Sequence, residues 1–147
     1  ILVPQISYPE IVELSSFFSF HNDVQKFNDG YDSKIGRNGM VLSKGQKQRL
    51  VLIRAYTKPK QIMIFDDSFS AIDRINKKNI LENLITLEDN SSKIFITHDI
   101  ELAPKFEKII YLNNGQAVSG THEELLNNKN YRKVYELNLD KVGEEYV

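Results

Sequence analysis

Four apolar residues in succession, Ile62-Met63-Ile64-Phe65, stop on two carboxylates, Asp66 and Asp67. A short apolar run bounded by turns is the pattern of a strand buried on both faces of a parallel sheet. Open α/β sheets bind ligands at the carboxyl ends of such strands, and paired carboxylates there offer the oxygen ligands that a hard cation such as Mg²⁺ needs. Upstream, Leu42-Ser43-Lys44-Gly45-Gln46 reads as a helix start. Ser43 can cap the free amides, and Gly45 leaves them open to a ligand's oxygens. Leu50, Ile53 and Arg54-Ala55 follow on helical spacing up to a break at Pro59. A glycine-bearing helix start joined to a carboxylate-tipped strand points to nucleotide chemistry on an α/β fold.

Composition removes several other classes. At 147 residues the chain is one domain by length, enough to bury about 70% of its unfolded surface. A net charge of −1 gives no hint of a nucleic-acid-binding face. The sequence contains no cysteine, so disulfides, thiolate chemistry and cysteine zinc sites are out of reach. No apolar run approaches the roughly 20 residues that span a bilayer, and the N-terminus lacks the pattern of a signal peptide. Membrane association is therefore expected only through a partner.

The order of the motifs is more specific than any one of them. LSKGQ from Leu42 to Gln46, the following KQRL, IMIFDD from Ile62 to Asp67, and Ser70-Ala71-Ile72-Asp73 resemble the signature motif, Walker B strand and D-loop of ATP-binding cassette (ABC) ATPases. Asp29-Gly30-Tyr31-Asp32-Ser33-Lys34-Ile35-Gly36 looks like the DGYD approach of exporter-type cassettes. Thr97-His98 looks like the switch histidine, and Gly120-Thr121-His122-Glu123-Glu124-Leu125-Leu126 resembles the closing GTHEELL segment. The resemblance runs from Asp29 to about Leu139. It implies a P-loop NTPase-like parallel sheet with helices on both faces, plus part of the helical signature subdomain. Residues of about 6–58 would form the helical, signature-bearing part and about 59–147 the C-terminal half of the catalytic core.

The same resemblance implies roles. ATP and Mg²⁺ are the expected ligands. Asp66 would hold Mg²⁺ through water, and Gln5, ending the VPQ strand, would be the Q-loop residue that reaches the Mg²⁺ or the attacking water. Leu42, Ser43, Lys44, Gly45 and Gln46 would meet the γ-phosphate of ATP held by an opposite subunit. Asp73 would contribute at the interface, where the D-loop links the two sites, and His98 would contact the γ-phosphate and orient the attacking water. Asp67 stands where these ATPases usually carry the glutamate that polarises that water. Its carboxylate is set back by about one C–C bond, roughly 1.5 Å, and a base must lie within hydrogen-bond reach of the water it serves. An impaired or silent site is compatible with this, as in one half of asymmetric exporters. Lys44 also departs from the family's glycine, and Lys34 and Arg37-Asn38 depart in the loop that touches transmembrane domains. Expected partners are a second nucleotide-binding domain and the transmembrane domains of an exporter, at the cytoplasmic face of a membrane, with no nucleic acid.

Simpler roles stand beside these. Ser43 can be only a helix cap, Asp67 can cap the following turn, and Asp73 is a good N-cap for a helix of about Ile75 to Leu87 whose Ile80, Leu81, Leu84 and Ile85 face the sheet. Two short helices are expected between Pro9 and Phe27, with His21 at the surface or half-buried. Lys93 to Thr97 reads as another buried strand, followed by a short helix, Ile100 to Lys105. Asn113-Asn114-Gly115 is a hairpin signal between Lys108–Leu112 and Gln116–Ser119. Thr121 and Glu124 form a capping box ahead of terminal helices, with His122 in their packing rather than in the site.

The sequence contains no G-x-x-x-x-G-K-[ST]. The chain is therefore expected to be the C-terminal portion of a nucleotide-binding domain, inactive alone and unable to bind ATP in the usual way by itself. Two other readings compete with an exporter ATPase. One is the C-terminal lobe of an SMC-type DNA-maintenance ATPase, which would bring a long heptad segment and basic patches. The other is a regulatory half that binds ATP without hydrolysing it.

Overall fold

Among the described residues, four helices begin on side chains that satisfy their first amides. Ser7 and Glu10 form a reciprocal capping box for α1, Tyr8–Phe17. Ser43 and Gln46 do the same for α3, Lys44–Tyr56, and Asp73 caps α4, Arg74–Thr86. Between α1 and α3 lie the single-turn α2, His21–Val24, and a 3-10 turn, Gly30–Asp32. The computed structural model describes residues 6–37, 40–58 and 60–144. Gln5, Asn38, Gly39 and Pro59, which figure in the sequence reading, lie outside the described residues.

The chain divides into two units between Ile96 and Thr97. In the first, β1 (Ile62–Asp66) pairs in parallel with β2 (Ser92–Ile96), from Ile62 opposite Ser92 to Asp66 opposite Ile96. Two parallel strands cannot be joined by a tight turn, and α4 supplies the crossover. Its Ile80, Leu81 and Leu84 are fully buried, as the helical periodicity predicts, and Asn83 donates to the Phe17 carbonyl of α1 at 2.7 Å. Aromatic rings fill the space between. Phe65 stacks on Phe95 with centroids 4.8 Å apart and meets Tyr56 and Phe69 at 6.4 and 5.7 Å, while Phe18 lies edge-on to Tyr56 at 5.1 Å.

Burial of these strands on both faces, expected from the sequence, does not hold. Met63 and Phe65 are buried, but Ile62, Ile64, Ile94 and Ile96 are 62%, 63%, 49% and 52% exposed. Alternate side chains of a strand point to opposite faces, and only the Phe65 side of this two-stranded sheet is covered among the described residues. The stripe that α3 buries is likewise Arg49, Leu52, Ile53 and Tyr56, shifted from the Leu50–Ile53 spacing of the sequence reading.

In the second unit a six-residue 3-10 helix, Ile100–Lys105, contains Pro104. The hairpin of β3 (Ile109–Asn113) and β4 (Gln116–Gly120) follows, in antiparallel register from Ile109 opposite Gly120 to Asn113 opposite Gln116. Its turn residues Asn114 and Gly115 both have positive φ, 48° and 74°, the combination that suits the right-handed twist of a hairpin. Thr121 and Glu124 box the start of α5, His122–Leu125, and α6, Lys129–Glu144, completes the unit. Its core gathers Ala103, Leu125 and Tyr131 against Ile109, Tyr111 and Val118. His122 bonds through Nδ1 to the Tyr131 hydroxyl at 2.8 Å, as its assignment to packing implies. No helix among the described residues is long and apolar enough to cross a membrane.

Candidate functional site

The carboxyl end of β1 turns sharply. Asp66 and Asp67 are both exposed, and Asp67 sits in the left-handed region at φ 45°. Asp tolerates that region better than most residues, at a cost in strain. Its backbone is held on both sides: its N–H donates to the Ile96 carbonyl at 3.0 Å, and its own carbonyl accepts from the Ser70 hydroxyl at 3.0 Å and the Ser70 N–H at 3.4 Å. The Ser68 hydroxyl closes on the Asp66 carbonyl at 3.3 Å. The turn is thus built from its own serines, with both carboxylates left facing solvent.

Against this turn lies the start of α3. Ser43 Oγ accepts from the Gln46 N–H at 3.1 Å while Gln46 Oε1 accepts from the Ser43 N–H at 2.9 Å. Leu42 is buried beneath the cap, whereas Ser43 and Lys44 are exposed. Gly45 has a steric reason as well as the exposure of amides: a Cβ there would stand 2.6 Å from the Ala71 carbonyl oxygen. Only glycine lets the two backbones come so close. On the same side of the helix, one turn on, Gln48 Oε1 accepts from the Ala71 N–H at 2.8 Å and Gln48 Nε2 donates to Ser70 Oγ at 3.3 Å.

The inward side of α3 is pinned by charge. Arg49, only 6% exposed, pairs with Asp23 of α2 at 2.8 Å, donates to the Ser19 carbonyl and lies 5.6 Å from the centre of the Phe20 ring. Gln46 Nε2 donates to the other Asp23 oxygen at 3.0 Å. A buried cation is tolerated only when paired and hydrogen-bonded, and one carboxylate here serves two residues of the helix. Asp73 lies at the far end of the turn with its carboxylate committed to Asn76, at 3.1 Å to the backbone N–H and 2.7 Å to the side-chain amide. Those bonds hold its carboxyl below the ordinary carboxylate value.

Of the residues singled out by the sequence, Leu42, Ser43, Lys44, Gly45, Gln46, Asp66, Asp67 and Asp73 fall in the first unit, on α3, β1 and the turn that links it to α4. His98 is exposed and belongs to the second unit, two residues beyond β2. The sequence reading missed Gln48 and the Asp23–Arg49 pair, and named Ser70 only as part of the D-loop segment. A glycine and a glutamine three apart on one helical face, where an apolar pair would be ordinary, is the signal that marks Gln48.

For a Mg²⁺ ion the donor set is suitable. Among the described residues no group of three or more His, Cys, Asp or Glu side chains could cage a metal. Mg²⁺ does not require one: it binds through one or two carboxylates, phosphate oxygens and waters, and two exposed carboxylates at a strand end meet that need.

Comparison with known proteins gives a consistent picture. No family model matches the chain. The chain is 36% identical over 136 residues to the multidrug resistance-like ATP-binding protein MdlA of Buchnera aphidicola subsp. Baizongia pistaciae, covering 90% of the chain and 24% of that protein. It is 34% identical over 129 residues to the pediocin PA-1 transport/processing ATP-binding protein PedD of Pediococcus acidilactici, covering 87% of the chain and 18% of that protein. It therefore spans about a quarter or less of the length of these curated relatives. Among solved structures, a bacterial Atm1-family ABC exporter with ATP bound superposes with a TM-score of 0.79 at 24% identity, over 91% of the chain and 24% of the exporter chain. That likeness shows the fold.

Proposed function

The chain belongs to the ATP-binding cassette family, related to ABC transporter ATP-binding proteins over about nine-tenths of its length, and from that premise we propose that it is part of an exporter's nucleotide-binding domain. Residues of about 6–58 are its helical, signature-bearing part and about 59–147 the C-terminal half of its catalytic core. Its work is to couple ATP binding and hydrolysis, at an interface with a second such domain, to movement of a substrate by transmembrane partner domains at the cytoplasmic face of a membrane. The observation that carries this reading is the junction of α3 with the end of β1. A capped helix start and two exposed carboxylates are joined there through Gly45, Gln48 and the turn at 70–71.

Asp66 is the carboxylate to hold Mg²⁺, which when bound neutralises charge on the phosphates. Ser43 and the first amides of α3, with Lys44, are suited to oxygens of the γ-phosphate of ATP held by the second such domain. Asp67 accepts a hydrogen bond from the attacking water and takes up its proton on a carboxylate oxygen. Its short side chain makes it a weaker base than a glutamate in reach, though not in chemistry. His98 as a γ-phosphate contact, Gln5 as the Q-loop residue and Asp73 at the interface rest on the family pattern alone.

The test is made in the complete protein that carries this chain. ATP binding is titrated by calorimetry with Mg²⁺, and turnover is compared for wild type, Asp66→Asn and Asp67→Glu. Asp66→Asn is expected to remove the Mg²⁺-dependent part of binding. Asp67→Glu is expected to raise turnover, since a well-placed general base contributes about 10²–10⁴-fold. Absence of ATP binding in the wild type would sink the reading; unchanged turnover in Asp67→Glu would favour a regulatory half that binds without hydrolysing.

A further inference from the structure

We propose that Gln48 is a positioning residue, which fixes the left-handed backbone of Asp67 through Ser70 and so aims the carboxylate at the end of β1. The inference rests on the reading of Asp67 as the group that serves the attacking water.

Three observations converge on it. The Ala71 N–H can only donate, so the Gln48 carboxamide must turn its oxygen to it, and the bond measures 2.8 Å. That choice leaves the Gln48 NH₂ group facing Ser70 Oγ at 3.3 Å, as a donor. With one lone pair so engaged, the Ser70 hydroxyl directs its own proton to the Asp67 carbonyl, at 3.0 Å. The relay runs in one direction, from amide to hydroxyl to carbonyl, and ends on the residue that sits at φ 45°. A non-glycine residue in that region persists only where its surroundings over-determine it. Here the Ile96 carbonyl takes its N–H and the relay takes its C=O.

The second support is steric. Because the Ala71 carbonyl lies where a Cβ of residue 45 would stand, the turn cannot slide along α3 without losing the Gln48 bonds. Gly45 and Gln48 are separated by three positions and therefore share one face of the helix. A single face of α3 thus sets the height and the hydrogen bonding of the turn, while the adjoining side of the helix is anchored to α2 by Arg49 and Asp23. A group used for chemistry must be held within a fraction of an ångström of its working position. From outside the turn, Gln48 reaches both Ser70 and Ala71.

The experiment compares Gln48→Leu, Gln48→Glu and Ser70→Ala with wild type and Asp67→Asn in the complete protein, reading kcat and KM for ATP together with amide exchange at Ala71. Gln48→Leu removes both bonds at nearly constant volume. It is expected to lower kcat by about tenfold or more, to leave KM for ATP within about twofold and to speed exchange at Ala71. Gln48→Glu keeps the acceptor for Ala71 but competes for the Ser70 proton. It is expected to restore slow exchange at Ala71 without restoring kcat, and Ser70→Ala is expected to match it in kcat. A role in stability alone would instead rescue kcat in Gln48→Glu along with the exchange. That outcome overturns the proposal, as does Gln48→Leu with wild-type kcat while Asp67→Asn is impaired. If Asp67→Asn turns over ATP at the wild-type rate, it is the reading of Asp67 that fails, and the proposal with it.

Discussion

Tyr56 is buried at the C-terminal turn of α3, and its hydroxyl finds no hydrogen-bond partner among the described residues. An unsatisfied buried donor costs roughly 1–3 kcal/mol, whereas removing the group with the shape retained is neutral or favourable. Tyr56→Phe is therefore expected to stabilise the chain by about 1 kcal/mol, seen as a higher midpoint in urea unfolding. The phenol's acidity gives a second readout. Burial, aided by the negative charge of Asp89, raises its pKa well above the ordinary 10.0. The unfolded state then loses the proton first, so stability declines as pH rises above about 10. The Phe variant should lack that part of the alkaline decline. Neither the burial nor the orphaned hydroxyl was legible in the sequence, where Tyr56 follows Arg54-Ala55 as one more residue before a proline. Asp66, Asp67, Ser43 and Asp73 were legible because a carboxylate ending an apolar run, or a capping residue opening a helix, has a local cause that needs no tertiary partner.

At the level of elements, the capping sites and the hairpin came directly from sequence because both are short-range. Ser43 finds Gln46, Thr121 finds Glu124, and Asn114-Gly115 adopts the turn its φ preferences dictate. The face of α3 that turns inward was harder to read. A charged residue, Arg49, occupies one of its core positions, so the apolar periodicity breaks where the packing does not. Its partner Asp23 lies in α2, with Phe20 and Ser19 close by, a long-range arrangement that no local pattern encodes. Asp23→Ala would leave a buried guanidinium with its charge uncompensated and would free the Gln46 amide. Removing one partner of a buried pair costs about 3–5 kcal/mol, but the Asp23 side chain is 23% exposed. A loss near the lower bound, about 3 kcal/mol, is expected in chemical denaturation, with α2 and the start of α3 loosening together in amide exchange.

For the molecule as a whole, the sequence conveyed the strands and their parallel relation but overstated their burial. Ile62, Ile64, Ile94 and Ile96 alternate with Met63, Phe65 and Phe95 along the two strands, and an unbroken apolar run does not say which of its faces is covered. The uncovered side is a contiguous apolar strip of the kind that drives association. Ile64→Thr combined with Ile94→Thr is expected to reduce self-association of the isolated chain in sedimentation velocity. Little change in the unfolding midpoint is expected, because these side chains lose little burial. The connectivity has one more consequence, in time. The β3–β4 hairpin closes across two residues and can form in about 1–10 μs. Ile62 must wait for Ser92 until α4 has bridged the distance, and contacts between residues far apart in sequence are slow to form. During synthesis or refolding the carboxylate-bearing edge would thus be among the last features of the first unit to appear, and its exposed isoleucines the surface that an incompletely folded chain offers for longest.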